Sequence, residues 1–236
     1  MENRPVGEIV QGWQAPPRPE ALRLEGRHAL LEPMHADTHA ALIYDEMQGL
    51  EWIWDYMPNG PFGSAAQYHR WMREAEGGTD PYFLAIRDKA QGLWAGVASY
   101  LRITPEQGVI EVGNIAFSPA LQKTRAATEA MVLMMDWAFS AGYRRYEWKC
   151  NALNMPSRRA AQRLGFSYEG IFRQHMVVKG RNRDTAWFAI TDREWPALKE
   201  AFAVWLSPSN FDAEGRQRER LVDLTRLVRV ASDPAL

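Results

Sequence analysis

Cysteine is almost missing from this sequence: Cys150 is the single one in 236 residues. One thiol cannot close an intramolecular disulfide, and such sparing use fits a reducing compartment. Net charge is nearly absent as well, at −1 from 28 Lys+Arg against 29 Asp+Glu. That balance removes any general pull towards nucleic acid or an anionic membrane, while leaving room for a local basic patch. No apolar run approaches the ~20 residues that span a bilayer. No N-terminal stretch has the charged, apolar, small-residue order of a signal peptide. The expectation is a cytoplasmic protein without nucleic-acid or membrane partners. Internal repeats and low-complexity segments are lacking too. What the chain does have is core material, with 46% hydrophobic residues that include 10 Trp, 9 Phe and 8 Tyr. That suffices for one substantial domain.

Residues 1–24 hold Pro5, Pro16, Pro17 and Pro19 without sustained periodicity and read as an irregular arm. The main domain is expected over 25–206. It begins with a strand at Arg27–Pro33, a helix from His35 to Met47, an aromatic turn-rich stretch over 49–63, and a helix capped by Ser64. Alternation then predicts strands at Tyr82–Arg87, Leu93–Ile103 and Val109–Phe117, joined by short turns as an antiparallel meander. From Thr124 to Phe139 the period changes, with Ala127, Ala130, Met131, Met134, Trp137 and Ala138 at helical spacing. A strand at Tyr143–Cys150, a helix at Pro156–Leu164, a hairpin over Phe166–Thr191 and a helix at Glu194–Trp205 follow. Leu221, Leu224, Leu227 and Val228 give the 207–236 tail the pattern of an amphipathic helical extension. The order predicts an α+β domain built on one long, mostly antiparallel sheet flanked by helices.

The stretch Ile115–Met131, IAFSPALQKTRAATEAM, is the most informative. A strand ends, a short loop follows and a long helix opens near Thr124. The first amides of a helix lack internal partners and sit at the positive end of its dipole, so the corner is suited to phosphate. Residues 150–166, CNALNMPSRRAAQRLGF, place a second polar turn at the start of the next helix.

Together these stretches resemble the GNAT N-acetyltransferases of the RimJ/RimL branch. The pyrophosphate loop of that family reads Arg/Gln-x-x-Gly-x-Gly/Ala. Gln122, Lys123, Thr124, Arg125, Ala126 and Ala127 match it at the first and last positions, with Arg125 where glycine is usual. Either that side chain points away or its guanidinium meets a phosphate. The branch's Asn-x-x-Ser turn and Gly-Phe helix end appear as Asn154, Ser157, Gly165 and Phe166, followed by Glu169-Gly170. The resemblance covers about residues 25–195 and implies the GNAT fold, with acetyl-CoA as co-substrate and no metal. It implies further that the strand before the loop splays from its neighbour, so that Asn114, Ala116 and Phe117 face the pantetheine arm. By the same resemblance Asn154 would hydrogen-bond that arm, and Ser157 would lie near the sulfur and donate to the departing thiolate. Helix capping is the competing reading of both.

Direct acetyl transfer needs a neutral amine, a polarised carbonyl and a stabilised leaving group, but no covalent nucleophile. Cys150 is therefore read as a small buried strand residue. Alternation sets Glu111 with Val109, Gly113 and Ile115 on one strand face, where its carboxylate either accepts an amine proton or pairs with a neighbouring strand. His69, His175 and Glu147 are secondary candidates. His35 and His39, at i and i+4, read as helix-surface residues because no third metal ligand is evident. Trp52, Trp54, Tyr56 and Phe62 form either an acceptor-pocket wall, with Asp55 or Glu51 drawing a cationic amine, or a plug fixing a long loop. The expected activity is acetyl transfer to a primary amine, of a peptide or a small molecule, by a monomer or homodimer. The alternatives are a non-catalytic acyl-CoA-binding module and an interaction protein acting through its C-terminal helix.

Overall fold

The period-2 stretches of the sequence assemble into one eight-stranded sheet in a computed structural model that describes residues 5–236. Residues 1–4 of the expected arm lie outside the described residues. The strands are β1 (Leu24–Glu25), β2 (Ala29–Pro33), β3 (Tyr82–Asp88), β4 (Leu93–Thr104), β5 (Val109–Phe117), β6 (Arg145–Asn151), β7 (Ser167–Val178) and β8 (Arg181–Thr191). Their order is β1-β2-β3-β4-β5-β6-β8-β7. Among the described residues, only β5 and β6 pair in parallel. Parallel neighbours need a crossover, and the crossover here is α3 (Arg125–Ser140). The remaining helices are α1 (Ala36–Asp45), α2 (Ala65–Ala75), α4 (Met155–Arg163), α5 (Trp195–Leu206) and the short α6 (Leu221–Thr225). The α+β fold expected from the element order is the fold observed.

The sheet is buried on both faces, but unequally. Ala130, Met131, Met134 and Ala138 of α3 pack on Leu84, Ile86, Ile110, Val112, Tyr146 and Phe188. Ala40 and Ile43 of α1, with Tyr68 and Met72 of α2, pack on Ala85, Val97 and Ala116 from the opposite face. That second cluster contains no residue of β6, β7 or β8. The α1–α2 face of the sheet is thus left without a helix over its far half.

Two bulges re-aim side chains there. Val97 pairs with Ala116 but Ser99 with Gly113, so Asn114 and Ile115 together oppose one residue of β4. Asn114 takes φ +49, a conformation asparagine tolerates, and its Nδ2 donates to Ser99 Oγ at 2.9 Å. Beyond this bulge the alternation inverts. Ile115 joins the core of Ile110 and Val112, not the face of Glu111 as simple alternation predicts. A second irregularity between Leu101 and Thr104 gives Arg102 φ +48, with both its amide and that of Ile103 held by Asp80 at 2.8 and 2.9 Å.

The C-terminal segment departs from the expected amphipathic helix. Apart from a 3-10 turn at Pro208–Asn210, its described helix is Leu221–Thr225; Leu221 is buried, while Leu227 is 80% exposed. The rest is irregular because its polar groups bond to the domain instead of to a helix. Thr225 Oγ1 donates to Arg163 O at 3.0 Å, and the Val230 amide donates to Ser167 Oγ at 2.9 Å. Arg158 grips Asp233 through Nε and a terminal nitrogen, both at 2.6 Å. The arm also lies on the domain, with Tyr143 Oη donating to Pro17 O at 3.0 Å.

Candidate active site

The parallel pairing of β5 with β6 runs from Val109↔Arg145 to Val112↔Trp148 and stops. From Gly113 onwards β5 is paired on its β4 side alone, so alternate backbone N–H and C=O groups face an open gap in the sheet. The implied splay is present, and it begins at the bulge. Asn114 and Phe117 are half-buried along this edge, while the side chain of Ala116 is buried in the α1–α2 core.

The loop of Gln122 to Ala127 closes one end of the gap. Thr124 caps α3, its Oγ1 accepting from the Ala127 amide at 3.0 Å. The Gln122 amide is bonded to Ser118 O and the Thr124 amide to Leu121 O. Among the described residues, the amides of Lys123, Arg125 and Ala126 have no acceptor. Lys123 takes φ +62, and Gln122 Nε2 donates to Phe117 O at 2.8 Å, stapling loop to strand. Free amides at the start of a 16-residue helix form an anion cradle. The guanidinium of Arg125 stacks 4.4 Å above the ring of Phe211. Glu129 anchors α3, accepting from the amides of Arg27, His28 and Ala29 at 3.0, 2.5 and 2.7 Å.

On the other side of the gap, Asn154 caps α4, its Oδ1 accepting from the Ser157 amide at 3.1 Å. Ser157 is not the cap. Its Oγ accepts from Trp148 Nε1 at 3.0 Å, which leaves the hydroxyl hydrogen to donate, with the Cys150 sulfur as its neighbour. Cys150, beside it, is buried, and burial pushes its thiol up to about 11 against the pull of Ser157. A thiol of that kind is a poor nucleophile at neutral pH.

Glu111 lies on the helix-free half of the α1–α2 face and is 2% exposed. Its Oε1 accepts from Arg102 at 2.7 Å, and Lys149 Nζ stands 2.9 Å from Oε2. The Lys149 contact has ion-pair distance without hydrogen-bond alignment, so Oε2 has no hydrogen-bond donor. Burial pushes the Glu111 carboxyl up, against the opposing pull of Lys149 and Arg102. At Glu147 burial also pushes upward, but Lys149 and Arg145 outweigh it and hold that carboxyl low. Of the secondary histidines, His69 of α2 pairs with Asp37 of α1 at 2.9 Å. His175 shares the face of Glu111, with Nδ1 2.9 Å from Thr185 Oγ1. His39 is not the surface residue expected: it is fully buried, with Nε2 3.2 Å from Glu32 and its ring edge-on to Trp94.

The aromatic loop divides between its two readings. Trp54 is core and the half-buried Phe62 packs against it, with Tyr68 and Trp71 joining in edge and tilted contacts at 4.9–6.1 Å. Trp52 is 52% exposed. Tyr56, with Asp55, Asn151, Leu153, Lys179 and Arg183, lines a cavity of about 300 Å³. A larger, shallower hollow of about 760 Å³ borders Phe172 to His175 at the bulge of β7. Arg102, Lys149, Arg183 and Trp187 are members of this face that residue patterns alone did not single out. Arg145, Glu147 and Lys149 at i, i+2 and i+4 were a legible signal of a charged strand face; the bulge that turns Arg102 onto Glu111 was not.

A sheet split beside a helix N-terminus, with a free hydroxyl across the split, is the architecture of an acyl-CoA-dependent transferase. Residues 28–167 match the acetyltransferase (GNAT) domain, and the chain belongs to that family. A GCN5-related N-acetyltransferase from Brucella melitensis is 46% identical, covering 92% of this chain and 100% of that one at a TM-score of 0.89. A probable GNAT-family acetyltransferase from Chromobacterium violaceum is 36% identical, with 82% and 98% covered at 0.77. RimL, an alpha-N-protein acetyltransferase, shares the fold at 18% identity and a TM-score of 0.62 over 72% of this chain and 94% of that one. No curated protein matches. No helix of the described residues is long and apolar enough to cross a membrane.

Proposed function

We propose that the protein moves an acetyl group from acetyl-CoA to a primary amine by direct transfer in a ternary complex. The observation that carries this reading is the gap between β5 and β6, with unbonded amides at one end and the Ser157 hydroxyl across it. The amides of Lys123, Arg125 and Ala126 would hold the pyrophosphate, and the β5 edge at Asn114 to Phe117 and Asn154 would hold the pantetheine arm. Bound acetyl-CoA supplies the thioester; the amine nitrogen bonds to its carbonyl carbon as the C–S bond breaks. Ser157 donates to the sulfur, and the proton shed by nitrogen passes to Glu111, directly or through water. Trp52, Trp54, Tyr56 and Phe62 frame the acceptor entrance, Tyr56 from the cavity wall and Trp54 and Phe62 from beneath. Arg125, whose place in the loop favours a non-catalytic binding module, stacks on Phe211, and its amide stays without an acceptor. That arrangement keeps the loop open to a pyrophosphate, and release of CoA from acetyl-CoA with an amine present separates a transferase from a binding module. The motifs point to the RimJ/RimL branch, and the sparing use of cysteine supports a reducing, cytoplasmic location.

A ligand that binds only the native state stabilises it by mass action, by about 2.7 kcal/mol at a hundredfold excess over Kd. For a chain of this size that corresponds to a rise of about 5–10 °C in Tm. Acetyl-CoA at millimolar concentration is expected to produce it in a thermal melt. No shift would remove the assignment.

Glu111 must be ionised to accept a proton. Its carboxyl is raised by burial, so activity should fall as pH drops through a value above the ordinary carboxylate range. Glu111→Gln should abolish that acid limb along with most of the rate. A loss of rate that leaves the limb in place would make Glu111 a structural partner of Arg102 and Lys149 only.

A further inference from the structure

Arg183 carries a charge that no described residue neutralises. Its Nε donates to Thr185 Oγ1 at 3.2 Å, and the described residues place no carboxylate within ion-pair distance of its guanidinium. Glu111, whose field reaches it, already holds Arg102 and Lys149. The side chain is half-buried, and burial pulls the guanidinium below its usual range. A partly desolvated cation without a counter-ion is costly to keep.

A second, independent observation lies on the same strand face. Trp187, four residues further along β8, has a buried Nε1–H without an acceptor. Its ring is fixed between Lys149 Nζ, 4.0 Å from the ring, and Phe172, at 4.4 Å between centroids. The donor therefore cannot simply swing to find a partner. Buried N–H groups of this sort are nearly always bonded in native proteins. His175, on the neighbouring strand, is lowered by burial and then by the charges of Arg183, Arg102 and Lys149. The helix-free face thus combines a positive field with unspent N–H donors. The 300 Å³ cavity that Arg183 lines is lined as well by Glu51 and Asp55, which form no ion pair among the described residues and suit a cation, beside Lys179 and Arg181.

We propose that the acceptor is a small amine bearing an oxyanion, a carboxylate or a phosphate, which pairs with Arg183 while the amino end is drawn by Asp55 and Glu51. The planar guanidinium fork matches either oxyanion with two parallel hydrogen bonds. A volume of about 300 Å³ is at the small end of ligand sites and fits an amino-acid-sized molecule. This inference rests on the acetyl-transfer reading and narrows its substrate class.

The test measures initial rates with acetyl-CoA and matched acceptors: an amino carboxylate, its amide, and an aminoalkyl phosphate. Wild type should favour an anionic acceptor over the amide by about 10–100-fold in kcat/KM, the range for one charge-assisted hydrogen bond. The order of carboxylate and phosphate identifies the oxyanion. Arg183→Gln should collapse the preference, and Arg183→Lys, which keeps the charge without the fork, should retain part of it. Melting curves on both variants establish that they fold. Equal rates on acid and amide by wild type, or a preference intact in folded Arg183→Gln, would overturn the proposal while leaving acetyl transfer standing. If no amine is acetylated, the transfer reading itself falls, and the proposal with it.

Discussion

Replacing Asp233 with Ala should lower Tm by about 6–20 °C. Arg158 and Asp233 form a bidentate pair at 2.6 Å, with side chains 6% and 0% exposed. Removing one partner of a buried pair leaves an uncompensated charge and costs about 3–5 kcal/mol. Each kcal/mol is worth roughly 2–4 °C in a chain of 150–250 residues. That is a large share of the ~5–15 kcal/mol by which such proteins are stable. Asp233 also accepts from the Ala235 amide at 3.0 Å, and its own amide donates to Gln162 Oε1 at 2.7 Å. The damage therefore reaches α4, which carries Asn154 and Ser157. A double replacement, Arg158→Met with Asp233→Leu, should recover much of the loss, because it removes both charges together. Thermal melts of the single and double variants decide the matter. A cost below about 1 kcal/mol for Asp233→Ala would show that water reaches the pair.

The second large effect is expected at Ser157. A donor to the leaving sulfur strengthens only as charge builds there, so its loss lowers kcat more than it weakens acetyl-CoA binding. Well-preorganised donors of this type contribute about 10²–10³ in rate. Ser157→Ala should fall at or below the lower end, since water can replace the hydroxyl in an open gap. The same substitution also strips Trp148 Nε1 of its acceptor, which alone costs about 1–3 kcal/mol of stability. The two roles separate in a double-mutant cycle. In a Trp148→Phe background the stability cost of Ser157→Ala should vanish, while the loss in kcat per folded molecule persists. If kcat recovers with stability, Ser157 is a strut for Trp148 and takes no part in the transfer.

Much of this site was legible as residue order. The strand limits of β5, the capping of α3 by Thr124 and the turn at Asn154 follow from period, cap chemistry and local hydrogen bonding, which act over a few residues. Glu111 stood out because a carboxylate within an apolar strand demands a partner. What escaped was whatever depends on partners distant in sequence. Arg102 reaches Glu111 only because a bulge, held by Asp80, rotates it out of simple alternation. Arg158 meets Asp233 across 75 residues, and the tail is shaped by that contact more than by its own leucine pattern. Arg125 departs from the family's glycine, and its stacking partner, Phe211, is remote in sequence.

The sequence by itself determined the order of elements, the α+β sheet, the family and the two loops that frame the gap, since hydrophobic period and turn chemistry are local properties of the chain. Only the tertiary structure decided which charges are neutralised and which are left over. Neutralisation depends on distance and burial, and two bulges with one helix-free sheet face set both for Arg102, Glu111, Lys149 and Arg183.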